Sequence, residues 1–300
     1  MTVWSWLTEP FTFEFFGRVL LAGLLVGVMC GALGVFVILR RMAYIGHGLS
    51  YGVLGGVALA SLGGFDLYAG AAVAAAASGG LIDGVRRLRG LGADAAIAIV
   101  STTLFALGVA VISADRSRDL NLENLLFGNV LGVDRADLAL VALAAAFAGV
   151  TLFAWYKPLV FATFDPEVAR VQGVRLNATE LVFNLLVGVV VIVSLRVVGV
   201  LLITAVLVLP AAVARLACRS FGSMLLTAAG VGAATSTTGL YVSYYADLAS
   251  GPAIVLAAAA AFTLTAASLW VVTGRRIAGA RRQAHLPVTA TPTSAEPRDD

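Results

Sequence analysis

The sequence predicts an all-α fold, a polytopic membrane bundle of eight or nine transmembrane helices, and three observations carry that prediction. Hydrophobic residues make up 60% of the 300-residue chain, charged residues only 12%, and the mean hydropathy is +0.96. A soluble domain carries about 25% charge, so there is too little polar surface here to coat a globule in water. The apolar residues also fall in charge-free runs close to the ~20 residues that a membrane helix needs. Finally, the basic residues collect in alternate connections between those runs.

In chain order the runs are Val19–Leu39, Ile45–Leu62, Leu67–Ile82, Ala95–Ala114, Leu138–Tyr156, Leu181–Leu195, Val197–Ala214, Phe221–Ala246 and Leu248–Gly274. The third and sixth are short. Only Arg196 separates the sixth from the seventh, so one of that pair could be a broken helix, which leaves eight spans open. With the N-terminus outside, 15 of the 20 basic residues fall on the inner side, at Arg40, Arg41, Arg86, Arg87, Arg89, Lys157, Arg170, Arg175, Arg215, Arg219 and five arginines from Arg275 onward. The positive-inside rule therefore predicts nine spans, a multi-pass protein of the cell membrane and a cytoplasmic C-terminus. Residues 1–274 form the transmembrane domain in this reading. The stretch Arg275–Asp300, rich in Arg, Pro, Thr and acids without apolar period, reads as a disordered tail.

Glu9 and Glu14 occupy the stretch that the basic region of a signal peptide would need, so none is expected. Cys30 and Cys218 sit in apolar segments and read as small buried hydrophobes. The net charge of +3 gives nucleic-acid binding no support.

Polar residues within or between the runs carry the functional signals. In the cytoplasmic segment, Asp165 suits an N-cap, Pro166 the first helical position, Glu167 the positive helix end and Gly173 a stop. Together they predict a short helix of about seven residues, and Asn177-Ala-Thr-Glu180 a fresh cap for the next span. The second run opens Tyr44-Ile-Gly-His47-Gly-Leu-Ser50-Tyr51. His47 and Tyr51, four apart, share a face. An ionisable side chain in a membrane helix faces a cavity or a partner, and both a hydrogen-bonded structural histidine and a pathway residue fit. Gly48, Gly52 and Gly56 form a small-residue packing stripe, as do Gly23, Gly27 and Gly31. Thr235-Ser-Thr-Thr238 and Tyr241, Tyr244 and Tyr245 read as structural hydroxyls and an interfacial aromatic belt. Lys157, the single lysine, lies in no P-loop, so the chain is not itself an ATPase. Gly48-Leu-Ser50-Tyr-Gly52 has the G-x-S-x-G form but lies inside a span, where no strand-to-helix elbow can form.

Three blocks in order resemble the ABC-3 permeases, the membrane subunits of zinc, manganese and iron importers. They are Arg40-Arg-Met-Ala-Tyr-Ile-Gly-His-Gly-Leu-Ser-Tyr-Gly-Val-Leu-Gly-Gly56, Asp165-Pro-Glu-Val-Ala-Arg-Val-Gln-Gly173 and Val198-Gly-Val-Leu-Leu-Ile-Thr-Ala-Val-Leu-Val-Leu-Pro-Ala-Ala-Val-Ala214. The resemblance covers nearly the whole chain apart from the tail. It implies a type II importer-like permease with no permanent cofactor and no catalysis of its own, carrying divalent metal ions by alternating access. Its implied partners are a second permease copy, cytoplasmic ABC ATPase subunits and an extracytoplasmic metal-binding protein. It also implies a metal path past His47, Ser50 and Tyr51, and ATPase coupling through Asp165, Glu167, Ala169 and Gly173. Many members carry Asp and His where this chain has His47 and Tyr51. That exchange weakens a site for a hard ion such as manganese, so zinc is slightly preferred and a metal-chelate cargo stays open. A gradient-driven transporter or channel would usually place carboxylates or charge pairs in the membrane, and the nine runs contain none.

Overall fold

The computed structural model describes residues 9–12, 14–42, 44–64, 67–86, 93–114, 126–128 and 133–284. Among them every regular element is helical, as the apolar runs require: a helix satisfies its backbone polar groups internally, which lipid cannot do for it. After a 3-10 turn at Glu9–Thr12 come α1 (Glu14–Leu39), α2 (Ile45–Gly63), α3 (Leu67–Arg86), α4 (Ala93–Ala114), α5 (Arg135–Ala154), α6 (Tyr156–Phe164), α7 (Pro166–Val171), α8 (Leu176–Val198), α9 (Ile203–Ala217), α10 (Phe221–Ala246) and α11 (Ser250–Ala284). Each of the nine apolar runs is covered mainly by one helix, and α6 and α7 lie between the fifth and sixth of these. Five helices among the described residues are long and apolar enough to cross a membrane by length and composition alone, within α1, α4, α5, α8 and α11.

Helix α1 is central. It packs along α10 and α9 on one side and meets α5 and α8 on the other. Helices α2, α3 and α4 form a second group, and α8 bridges the two groups by touching α1, α2, α3 and α5. Phe36, Leu33, Phe183, Leu207 and Ile254 are fully buried where these helices meet. Large apolar side chains also face outward: Leu143, Phe147, Val150 and Phe153 line one outward face of α5, and Phe153 is 88% exposed. Lipid is the solvent that such a surface fits.

Four boundaries differ from the sequence reading. Helix α8 runs through Arg196 to Val198, and the chain breaks at Gly199–Leu202 instead. A single arginine does not end a helix, whereas Gly199 at φ 83° does. The break is filled by residues 126–128: Leu201 N–H donates to the Leu126 carbonyl at 3.2 Å, and a side chain on Gly199 would strike the backbone of Gly128. Secondly, α6 was not foreseen. Thirdly, α8 begins at Leu176 with Arg175 as an uncapped N-cap. The expected cap residues Asn177 and Thr179 lie inside the helix, Thr179 returning its hydroxyl to the Arg175 carbonyl at 3.2 Å. Lastly, α11 continues past Gly274 to Ala284, through Arg275, Arg276, Arg281 and Arg282, ten residues beyond the expected domain end. Residues 285–300, with His285, lie outside the described residues, as do Arg87, Arg89, Arg116 and Arg118.

Candidate functional site

The face carried by His47 is built by the way α2 is wedged among its neighbours. A side chain on Gly46 would press on Thr204 of α9. One on Gly48 would meet Ile82 of α3 and Ile97 of α4, one on Gly52 would meet Ser78, and one on Gly56 would meet Ala74 and the Gly70 carbonyl. Close contact along these positions fixes the rotation of α2 about its axis. His47 is half-buried, stacked on Tyr44 with ring centroids 6.4 Å apart and tilted against Tyr51 at 5.5 Å. Tyr51 continues the aromatic column to Phe105 of α4 at 4.7 Å. The His47 Nδ1 atom is buried without a hydrogen-bond partner among the described residues. Ser50 is fully buried, and its hydroxyl donates to the Gly46 carbonyl at 2.6 Å. Ser50 thus serves its own helix, while His47 and Tyr51 share a surface.

No group of three or more His, Cys, Asp or Glu side chains among the described residues could hold a metal ion. What α2 offers is one imidazole beside phenol rings, too few ligands for a permanent metal cage.

The second candidate region is α7. Asp165 Oδ1 accepts from the backbone N–H groups of Glu167 at 3.1 Å and Val168 at 3.0 Å, and Pro166 fills the first helical position. At the far end Gly173, at φ 79°, closes a Schellman motif: Val174 N–H donates to the Ala169 carbonyl at 2.9 Å and Gly173 N–H to the Arg170 carbonyl at 3.0 Å. Ala169 is fully buried, whereas Glu167, Val168, Arg170 and Val171 face outward, Val171 being 89% exposed. The helix rests on α6 and α8. It is a small rigid knob with one docked face and one open face.

Along α10 the threonine hydroxyls and tyrosine rings make local contacts. Thr238 donates to the Ala234 carbonyl at 2.8 Å and Thr235 to that of Gly232 at 3.3 Å. Tyr241 and Tyr244 both pack edge-on against Phe16 at 5.3 Å. A capping box of Asp134 and Asp137 at the start of α5 went unread in the sequence, although the Asp-x-x-Asp spacing signals it.

Against known families, the model of the ABC 3 transport family matches residues 12–269. The chain belongs to that family. Its members are transport permease subunits, and ATP is hydrolysed by a separate ATPase chain. Among relatives of this ABC-3 permease, the manganese transport system membrane protein MntC of Halalkalibacterium halodurans is 35% identical over 253 residues, spanning 84% of this chain and 87% of that one. The chelated iron transport system membrane protein YfeD of Yersinia pestis is 32% identical over 266 residues, spanning 87% and 88%. The structure titled PsaBC from Streptococcus pneumoniae in complex with Fab matches with a TM-score of 0.81 at 31% identity, covering 88% of this chain and 95% of that chain. The family match runs from before α1 into α11 and includes α2 and α7.

Proposed function

We propose that this ABC-3 permease is the membrane subunit of an ATP-driven importer of divalent transition-metal ions. Two copies would enclose the path, cytoplasmic ATPase subunits would drive it through α7, and an extracytoplasmic binding protein would deliver the metal. The observation that carries the reading is α7, capped at both ends and docked by Ala169, with Glu167 and Val171 turned outward. A rigid knob bearing an exposed apolar residue is what a permease needs to receive movement from a motor subunit. Asp165 and Gly173 hold its shape, and Glu167 is the contact that a partner would read.

The metal path runs, in this proposal, along the His47–Tyr51 face of α2, with Ser50 holding the helix geometry behind it. Imidazole and phenol favour zinc or iron over the harder manganese, with zinc slightly preferred on donor chemistry, while the relatives above are named for manganese and chelated iron. A second reading, a permease for a chelated metal, is favoured by the rings of Tyr44, His47, Tyr51 and Phe105, a surface on which an organic ligand can stack. Both are tested by reconstituting the chain with its ATPase and binding protein and measuring ATP turnover with zinc, manganese, iron(II) and chelated iron. Stimulation by one free ion, lost in Glu167→Arg, supports the ion importer. Stimulation by the chelate alone establishes the second reading, and no stimulation by any of them sinks both.

A further inference from the structure

Arg40 joins three elements that the transport cycle has to move together. It directly follows α1, and its backbone N–H still donates to the Phe36 carbonyl at 2.9 Å, so the side chain projects from a rigid helix end. Its Nε donates to Thr163 Oγ1 on α6 at 2.9 Å. Its Cζ lies 4.4 Å from the centroid of the Phe183 ring on α8. Thr163 is fixed in turn, its hydroxyl donating to the Leu159 carbonyl at 2.6 Å, and it stands two residues before the Asp165 cap of α7. On the other side of Arg40 the chain turns sharply at Arg41, φ 56°, and enters α2, with His47 seven residues beyond Arg40. One guanidinium therefore bridges the base of the α7 knob and the turn that leads into the His47 helix.

The character of the contacts matters as much as their place. An arginine that only anchors a fold is expected to be forked onto a carboxylate, the strongest arrangement open to it. No carboxylate reaches within 4 Å of Arg40 among the described residues, and Glu180 on α8 acts on it only as a nearby charge. It holds a hydroxyl and an aromatic face instead, and its Nη2 is buried without a hydrogen-bond partner among the described residues. A planar cation on a ring can slide while keeping most of its attraction, and a spare donor allows a second arrangement of bonds.

We propose that Arg40 is a positioning residue of the transport cycle, carrying displacement of α6 and α7 through Thr163 to the α1–α2 turn and so to the His47 face. This rests on the reading of α7 as the ATPase contact. The test uses the full importer in proteoliposomes, with ATP hydrolysis and metal uptake measured on the same preparation for Arg40→Gln, Arg40→Lys, Thr163→Val and the Arg40→Gln/Thr163→Val double variant. The expected result is an assembled complex whose ATPase remains active while metal taken up per ATP falls about tenfold in Arg40→Gln and severalfold in Thr163→Val. Arg40→Lys, which keeps the charge without the planar stack, should recover no more than part of the loss. The double variant should match Arg40→Gln, because both changes remove one shared contact. A purely structural role would lower complex yield, hydrolysis and uptake together and leave uptake per ATP unchanged. That outcome, or additive losses in the double variant, overturns the proposal. If the parent chain engages no ATPase, the importer reading fails first and this link falls with it. Unchanged uptake per ATP in a parent-competent system removes only the role of Arg40.

Discussion

At the scale of single residues, two kinds of position carry opposite expectations. His47 combines partial exposure, ring neighbours on both sides and a buried nitrogen with no partner. A ligand along a transport path must bind well enough to admit the ion and weakly enough to release it, and one imidazole without a carboxylate meets that need. His47→Ala is expected to lower metal uptake about tenfold, on the order of one lost ligand interaction, while the protein still inserts at parental levels; uptake by vesicles and membrane yield measure the two. Unchanged kinetics would return His47 to a packing role. Glycines give the contrasting case. A Cβ on Gly56 would collide with the Gly70 carbonyl and the Ala74 side chain, whereas one on Gly230 meets nothing within 4 Å. Gly56→Val should therefore cost at least ~1–3 kcal/mol by overpacking. Gly230→Ala should be neutral or stabilising by up to ~1 kcal/mol, the helix propensity difference. Thermal unfolding in detergent should separate the two variants, and equal midpoints would contradict the close α2–α3 packing.

At the scale of elements, α7 shows why some structure is legible in a sequence and some is not. Its start and stop were readable because capping is local: Asp165, Pro166 and Gly173 act on backbone groups within a few residues. Helix α6 was not readable, since Tyr156–Phe164 is nearly as apolar as the end of α5 and only a turn at Trp155 divides them. The α8–α9 break was misplaced because counting charges finds Arg196, whereas the backbone turns at Gly199, held open by residues distant in sequence. The same limit applies to the site. The pairing of His47 with Tyr51 follows from helical spacing, but the contacts of Tyr51 with Phe105 and of Arg40 with Phe183 join helices far apart in the chain, where no local pattern points to them. The local legibility of α7 makes a direct test possible. Asp165→Ala removes the acceptor of two backbone bonds and should cost ~1 kcal/mol of local stability, seen as faster amide exchange across residues 167–171. Glu167→Arg reverses an exposed charge and should leave the fold intact while abolishing metal-stimulated ATP turnover. Normal turnover in that variant would take the coupling role away from α7.

At the scale of the whole molecule, the orientation turns on α9. This helix has 15 residues, about 22 Å at 1.5 Å per residue, against a hydrocarbon core of ~30 Å. It also contains Pro210, which cannot donate to the Val206 carbonyl. Both features would be costly against lipid. Helix α9 is instead enclosed by protein, with Ile203, Val206, Leu207, Ala211 and Ala214 buried against neighbours that include α1, α10 and α11. A short, proline-containing helix is compatible with a crossing because the Gly199–Leu202 segment before it is packed against residues 126–128 and the Cys218–Ser220 turn follows it. If α9 crosses along with the other eight membrane helices, the termini would lie on opposite sides of the membrane. Arg215 and Arg219 would then join the inner set, and Arg275 to Arg282 on α11 would be expected in the cytoplasm. Were α9 not to cross, everything after it would be inverted, and six of those arginines would face outward against the positive-inside rule. Single cysteines placed at Glu9 and at Thr291, in a background with Cys30 and Cys218 replaced by serine, decide between these arrangements. A membrane-impermeant maleimide applied to intact cells should label Glu9→Cys and spare Thr291→Cys until the cells are opened. Labelling at both sites from outside would show an even number of crossings, and α9 would then be the helix that turns back.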